Sequence, residues 1–335
     1  MFGRQDPFTY LECQQCGVLV LQDIPTNLDE YYPINYYSFS AVPTYADPPR
    51  GLRRQLFLCR NYAHIFNRPA WLTLLAKLRP RRDLPLKELS DLFCGVPSIG
   101  FDARVLDIGC GQGAILRGML AAGFTDLTGV DPFTSQDVTI SDSLRIYRAQ
   151  ATVLAGRKFD FILLNHSLEH MPDQFQAMST IRELLDSRGS CLIRIPISRS
   201  EPYETYKDNW VELDPPRHIV IHSIHSLKSL AAQCGLEVVN VRCDSDILSY
   251  YGSELYRRGI SLADPHSGRW RNPAKYFTAA EIKDFEARAA AANRNMRGGR
   301  AAFVLKHARD SRVNSAGGAP SNHNVSIASP FQAQC

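Results

Sequence analysis

Long apolar runs are what this 335-residue chain lacks. No stretch reaches the roughly 18 consecutive apolar residues that a membrane-spanning helix requires, so none is expected. An excess of one charge is also missing. The 38 Lys and Arg nearly balance the 34 Asp and Glu, and a net charge of +4 does not by itself imply nucleic acid. Cysteine is modest and unpatterned. Nine thiols, an odd number without framework spacing, exclude a disulfide scaffold and point to the reducing cytoplasm. The opening Met1-Phe2-Gly3-Arg4-Gln5-Asp6-Pro7 lacks the apolar core of a signal peptide, and no secretory leader is expected. No internal repeat occurs. What remains is a chain with 44% hydrophobic residues, enough for a full core.

The most informative stretch is Val105-Leu106-Asp107-Ile108-Gly109-Cys110-Gly111-Gln112-Gly113, followed eighteen residues later by Asp131 in Gly129-Val130-Asp131. It reads as a strand, a glycine-rich turn and a second strand ending in a carboxylate. Glycines at 109, 111 and 113 permit positive φ and let a ligand lie against bare backbone. The helix that follows starts where the turn ends, with its first amides facing the ligand. A carboxylate about 20 residues on can take both ribose hydroxyls of a nucleoside.

Two ligand classes use this geometry. Gly109-x-Gly111-x-x-Ala114 fits a loose dinucleotide pattern, so the glycines do not decide alone. Asp107 helps decide. A carboxylate at that strand's end repels a pyrophosphate and suits a ligand bearing an ammonium and a sulfonium. S-adenosylmethionine carries both charges and no phosphate, so charge complementarity favours it.

These residues resemble a known family. Val105–Gly113 is similar to the first motif of class I S-adenosylmethionine-dependent methyltransferases, and Gly129-Val130-Asp131 to their second. Phe159-Asp160-Phe161-Ile162-Leu163-Leu164-Asn165-His166-Ser167-Leu168-Glu169-His170-Met171-Pro172-Asp173 resembles their fourth-strand motif. The likeness extends, more weakly, over about half of the chain. It points to members associated with sugar, polysaccharide or secondary-metabolite pathways. The resemblance implies that Asp131 binds the ribose and that Gly109, Gly111 and Gly113 bind the carboxypropyl and adenosyl portions. Asp107 contacts the methionine end, and Asn165 and His166 complete the cofactor set. Tyr147-Arg148-Ala149-Gln150 lacks the acid that often binds the adenine amino group in this family.

Strands are predicted at 104–108, 126–130, 144–148, 159–164, 190–197, 236–243 and 300–307. Helices are predicted at 113–122, 173–186 and near 224–234. Alternation of apolar strands with helices means an α/β fold, a doubly wound sheet covered on both faces. The resemblance makes it a Rossmann-like, seven-stranded, mostly parallel sheet with its last strand antiparallel, preceded by a helical, knuckle-like extension.

The chain divides into 1–49, a Cys-x-x-Cys and Tyr-rich segment; 50–100, a basic helical lid; 101–308, the methyltransferase domain; and 309–335, a polar tail read as disordered. Cys13-Gln14-Gln15-Cys16 supplies two of the four ligands that structural zinc requires, so two reduced thiols on a hairpin is the preferred reading and no metal ligand is nominated. Tyr31–Phe39 looks like a Tyr-rich segment found in similar enzymes. Residues 50–82 carry nine Lys or Arg and no acid, interleaved with apolar residues. A lid is favoured there, with peripheral contact to an anionic membrane as the alternative.

Methyl transfer is an in-line displacement in which the protein mainly supplies alignment and desolvation. Hydroxyl and amine acceptors must also lose a proton, a task suited to histidine. His218, presented after Pro215-Pro216-Arg217, ranks first as general base and His170 second. The Asp-x-Pro-Arg-His stretch resembles an acceptor-side loop of such enzymes. Glu169 orients a neighbour or meets the cofactor's amino group, whereas His222 and His225 read as surface or helix-start residues. Tyr203, Tyr206, Trp210 and Tyr251 are candidate acceptor walls and equally adequate core residues.

The expected activity is methyl transfer to oxygen, nitrogen or carbon of a small-molecule or sugar acceptor. An NAD(P)-dependent oxidoreductase or epimerase is the alternative, although no Tyr-x-x-x-Lys stands in a fitting place. A non-catalytic cofactor-binding partner subunit is the third reading. Nucleic acid is not an expected partner, because Asn165-His166-Ser167-Leu168 replaces the Pro-Pro-aromatic motif of base-methylating enzymes. Acceptor identity and oligomeric state are not written in the chain.

Overall fold

A computed structural model describes residues 6–32, 44–45, 48–49, 51–66, 84–264 and 270–309. The first strands, β1 (Tyr10–Glu12) and β2 (Leu19–Leu21), form an antiparallel hairpin whose turn carries Cys13 and Cys16. Two helices follow, α1 (Leu52–Phe66) and α2 (Leu86–Leu92). The motif region then supplies β3 (Arg104–Ile108), α3 (Ala114–Ala122), β4 (Asp126–Val130), β5 (Val138–Ser141), β6 (Leu144–Tyr147) and β7 (Phe159–Asn165). Next come α4 (Gln174–Leu184), β8 (Leu185–Pro196), α5 (Glu201–Tyr206), β9 (Val220–Ile221), α6 (Ile224–Gln233) and β10 (Leu236–Cys243). The described chain closes with α7 (Leu248–Arg257), α8 (Ala279–Arg294) and β11 (Arg300–His307).

Eight strands form the main sheet in the order β10-β11-β8-β7-β3-β4-β6-β5. The five from β8 to β6 are parallel, β11 runs antiparallel to both its neighbours, and β5 is an antiparallel edge. The chain leaves β3 to one side for β4 and β6, then returns to the other side for β7 and β8. The switch point therefore lies at the carboxyl ends of β3 and β7, where open α/β sheets hold their ligands.

Alternation along the strands sorts the core into two layers, since successive side chains point to opposite faces. Leu106, Ile162, Leu164, Ile193 and Phe303 face α4 and α6. Val105, Phe161, Leu163, Leu192 and Val304 face the side covered by α1, α2 and α3. Local chemistry starts the helices where the sequence suggests. Asp173 caps α4 by accepting from the Gln176 amide at 2.8 Å, and Ser223 and Thr278 form capping boxes for α6 and α8.

The strands predicted at 104–108 and 126–130 appear at those bounds, and the helix between them starts one residue later than predicted, at Ala114, because Gly113 is its N-cap. The sheet has eight strands rather than seven, because Val138–Ser141 folds back on β6 as an extra edge. The helix predicted to 186 stops at Leu184, where the chain enters β8 directly. Buried residues of α1 and α2 join the core on the sheet face, with the Asn61 amide bonded to the Ala122 carbonyl at 2.9 Å. The described part of the predicted lid thus packs on the sheet, and residues 67–83 lie outside the described residues. So do most of the Tyr-rich segment and the tail from 310.

A third core was not foreseen. Tyr206, Trp210, Tyr250, Tyr251, Phe277 and Phe285 bury one another among α5, α7 and α8. Trp210, at 0% exposure, is a core residue rather than an acceptor wall. The β1–β2 hairpin is also tied in: β2 pairs with β9, two residues beyond His218, to form a three-stranded sheet.

Candidate active site

All three glycines of the turn adopt positive φ: 77° at Gly109, 52° at Gly111 and 77° at Gly113. Two of them answer to the protein's own packing. A Cβ on Gly109 would lie 2.4 Å from Ser167 Cβ, and one on Gly113 would lie 2.4 Å from Ile146 Cδ1. Ser167 in turn donates to the Ile108 carbonyl at 2.7 Å, stapling the exit of β7 to that of β3. Gly113 is the left-handed N-cap of α3.

Gly111 has a different part. Its amide donates to Asp131 Oδ2 at 2.8 Å, and the Phe133 amide donates to Oδ1 at 2.8 Å. Both carboxylate oxygens are thereby fixed in place. An ionised carboxylate offers about four acceptor positions, so room remains for a vicinal diol.

Asp107 sits beside this cradle at 2% exposure, and no described residue donates a hydrogen bond to its side chain. Burial, reinforced by the charge of Asp131, pushes its carboxyl up to about 8. Such a group becomes favourable as an anion only when a cation arrives.

The second half of the crevice follows β7. His166 adopts φ 56° and its amide donates to the Arg194 carbonyl at 2.8 Å. The Asn165 side chain accepts from Arg194 Nη1 at 3.4 Å. A 3₁₀ turn, Leu168–His170, then carries Glu169 inward, 1% exposed with neither carboxylate oxygen hydrogen-bonded. Burial raises its carboxyl to about 8.

His170 and His218 come together with ring centroids 4.9 Å apart, edge to face. His170 Nδ1 lies 2.8 Å from the Arg217 carbonyl and His218 Nδ1 lies 2.7 Å from the Glu212 carbonyl. A carbonyl only accepts, so each Nδ1 carries the proton and each Nε2 keeps a lone pair. Burial lowers both imidazoles, His170 to about 3. The neighbouring Asp214 works against this at His218.

The loop bearing His218 is held by a buried ion pair. Arg217 Nε donates to Asp214 Oδ2 at 2.9 Å and Nη2 donates to Oδ1, with the two side chains at 3% exposure each. The Tyr10 hydroxyl donates to the carbonyls of Leu213 and His218. The loop also contains a cis peptide between Pro215 and Pro216.

A family model described as a methyltransferase domain matches residues 62–241, more than half of the chain. The chain belongs to this methyltransferase family. A ubiquinone biosynthesis O-methyltransferase from Haemophilus ducreyi is 31% identical over 103 residues, covering 27% of this chain and 43% of that protein. The chain thus spans less than half the length of the curated relatives it matches. Among solved structures, a SAM dependent methyltransferase from Archaeoglobus fulgidus aligns at 17% identity and a TM-score of 0.39, covering 73% of this chain and 97% of that one. A cyclopropane synthase from Mycobacterium tuberculosis aligns at 16% identity and a TM-score of 0.41, covering 73% and 93%.

The cofactor of this methyltransferase is S-adenosylmethionine, and the crevice fits it. Its polar groups are Asp107, to which no described residue donates, and Asp131, held by two amides with acceptor positions to spare. Glu212 and Tyr10 were missed by sequence reasoning, since nothing local marks a residue whose role comes from a distant loop. His222 was misplaced: it is fully buried, bonded to Ser226 Oγ at 3.0 Å and Gln174 Oε1 at 3.1 Å. Among the described residues no helix is long and apolar enough to cross a membrane.

Replacing Asp214 with Asn leaves Arg217 as a buried charge without its counter-ion. The expected loss of stability is about 3–5 kcal/mol, read from the midpoint of chemical denaturation. A loss below about 1 kcal/mol in that measurement would remove the ion pair as the anchor of the His218 loop.

Proposed function

We propose that this methyltransferase moves the methyl group of S-adenosylmethionine to a small-molecule or sugar acceptor, most simply at oxygen. The observation that carries the reading is Asp107, a buried carboxylate without donors beside the Asp131 cradle. The naming of the relatives as O-methyltransferases supports an oxygen acceptor.

In this reading Asp131 takes the ribose hydroxyls and Asp107 meets the ammonium and sulfonium end. Gly109, Gly111 and Gly113 shape the turn between them, and Asn165 and His166 border the far side. Bound S-adenosylmethionine supplies an electrophilic methyl carbon. The acceptor oxygen bonds to that carbon as the carbon–sulfur bond breaks, and the acceptor proton must leave. His218 Nε2 is the preferred proton acceptor, because Asp214 favours its charged form, and His170 lies beside it. Both histidines stand at the carboxyl edge, on the side of the crevice opposite Asp131. The cytoplasm suits the chain, whose nine cysteines follow no framework spacing.

S-adenosylhomocysteine is expected to raise the melting temperature of the purified protein, and NADH to leave it unchanged. Asp131→Ala should abolish the shift; an undiminished shift removes the ribose assignment.

Asp107 adds a proton linkage. Its carboxyl is protonated below about 8 in the free protein and ionised against a bound cation, so binding releases a proton at pH 6 and none well above 8. Calorimetry of S-adenosylmethionine in buffers of different ionisation enthalpy reads this directly. Release that persists in Asp107→Asn counts against the assignment.

A peripheral membrane contact is a second reading for residues 50–82. Leu52 and Leu56 are 90% and 71% exposed, on the same helix as Arg53 and Arg54. Flotation with anionic liposomes tests it, and protein left entirely in the soluble fraction rejects it.

A further inference from the structure

The Glu169 carboxylate has no account in the scheme above. It is 1% exposed and neither oxygen accepts a hydrogen bond; His166 Nδ1 lies 3.4 Å from Oε1 without forming one. A buried carboxylate left without donors carries a large desolvation cost. It either keeps its proton or is met by a cation.

Glu169, His170 and His218 each place a ligand-capable atom within 4.8 Å of the other two. Their segments are cross-linked, because the Ile219 amide donates to the Glu169 carbonyl at 2.8 Å. Each imidazole has its Nδ1 proton committed to a backbone carbonyl, Arg217 for His170 and Glu212 for His218. That outer contact fixes the ring and leaves Nε2 free, the arrangement typical of metal-bound histidine.

We propose that Glu169, His170 and His218 bind a divalent transition-metal cation. Two imidazole nitrogens and one carboxylate oxygen suit zinc, iron(II), cobalt or nickel better than calcium or magnesium, which prefer all-oxygen shells. Three protein ligands leave coordination positions open. An acceptor with two adjacent oxygens, such as a vicinal diol or enediol, can occupy two of them as a chelate. Coordination then acidifies the hydroxyl and uses the His218 Nε2 lone pair, so with the cation bound the proton passes to solvent, and the base role of His218 belongs to the cation-free protein only. This last step rests on the methyl-transfer reading; the cation site does not.

Cobalt(II) titration of chelator-treated, full-length protein tests the site by its visible ligand-field absorption and by calorimetry, without any turnover assay. One equivalent is expected to bind, with no thiolate charge-transfer band. His218→Gln and Glu169→Gln should each weaken binding by about tenfold or more, and a Cys13→Ser, Cys16→Ser double variant should bind as the parent does. Circular dichroism checks each fold, and His170→Gln, at a half-buried position, gives the same readout if Glu169→Gln fails to fold. Absence of saturable binding overturns the proposal. So does binding unchanged in His218→Gln, or a thiolate band lost with the cysteine pair.

Discussion

Carboxyl groups buried without a hydrogen-bond donor among the described residues are the constraint around which this crevice is built. Asp107 and Glu169 stand at the switch point, one near the end of β3 and the other on the turn after β7, and burial holds each carboxyl at about 8. Asp131 differs, because two backbone amides satisfy it. A protein that only needed to fold would pair all three or replace them with apolar residues. Keeping two of them unsatisfied costs stability, which is the ordinary signature of a site shaped for a positively charged visitor.

The surrounding architecture is arranged to keep those groups where they are. Ser167 locks the ends of β3 and β7 together through the Ile108 carbonyl, and it does so in space that only a glycine at 109 leaves open. Beyond β8 the Asp214–Arg217 pair, the Tyr10 hydroxyl and the β2–β9 pairing converge on one loop. The N-terminal hairpin is therefore structural support for His218 rather than an independent appendage. The aromatic cluster around Trp210 and Tyr250 backs the same region, with the Val211 amide bonded to Ser253 Oγ at 3.0 Å.

The parts of this picture legible in the sequence are those with short-range causes. Val105–Gly113 announces strand, turn and helix because three glycines sit where positive φ is required, and Asp131 follows at the length of one βαβ half. Capping residues such as Asp173 and Ser223 mark helix starts for the same local reason. The extra edge strand Val138–Ser141 was not legible. It pairs antiparallel with β6 across a tight connection, and although Val138-Thr139-Ile140-Ser141 alternates apolar and polar, four residues, none fully buried, are too short a run to be told from a loop without the partner strand. His222 misled because a histidine near a helix start is ordinarily exposed, and its burial is made tolerable by Ser226 on one ring nitrogen and by Gln174, from another helix, on the other.

The chain by itself determined the class of fold, the glycine turn with its two acids and the choice of methyl donor, since these rest on glycines and acids spaced along two adjoining strands. Only the tertiary structure decided what lies across from that turn. Glu169 and His170 are neighbours in sequence, but His218 is 48 residues beyond His170 and reaches them through a loop anchored by Arg217, Tyr10 and strand β9. A cluster assembled from distant segments leaves no spacing to read, because its geometry belongs to the packing between those segments and not to any one of them.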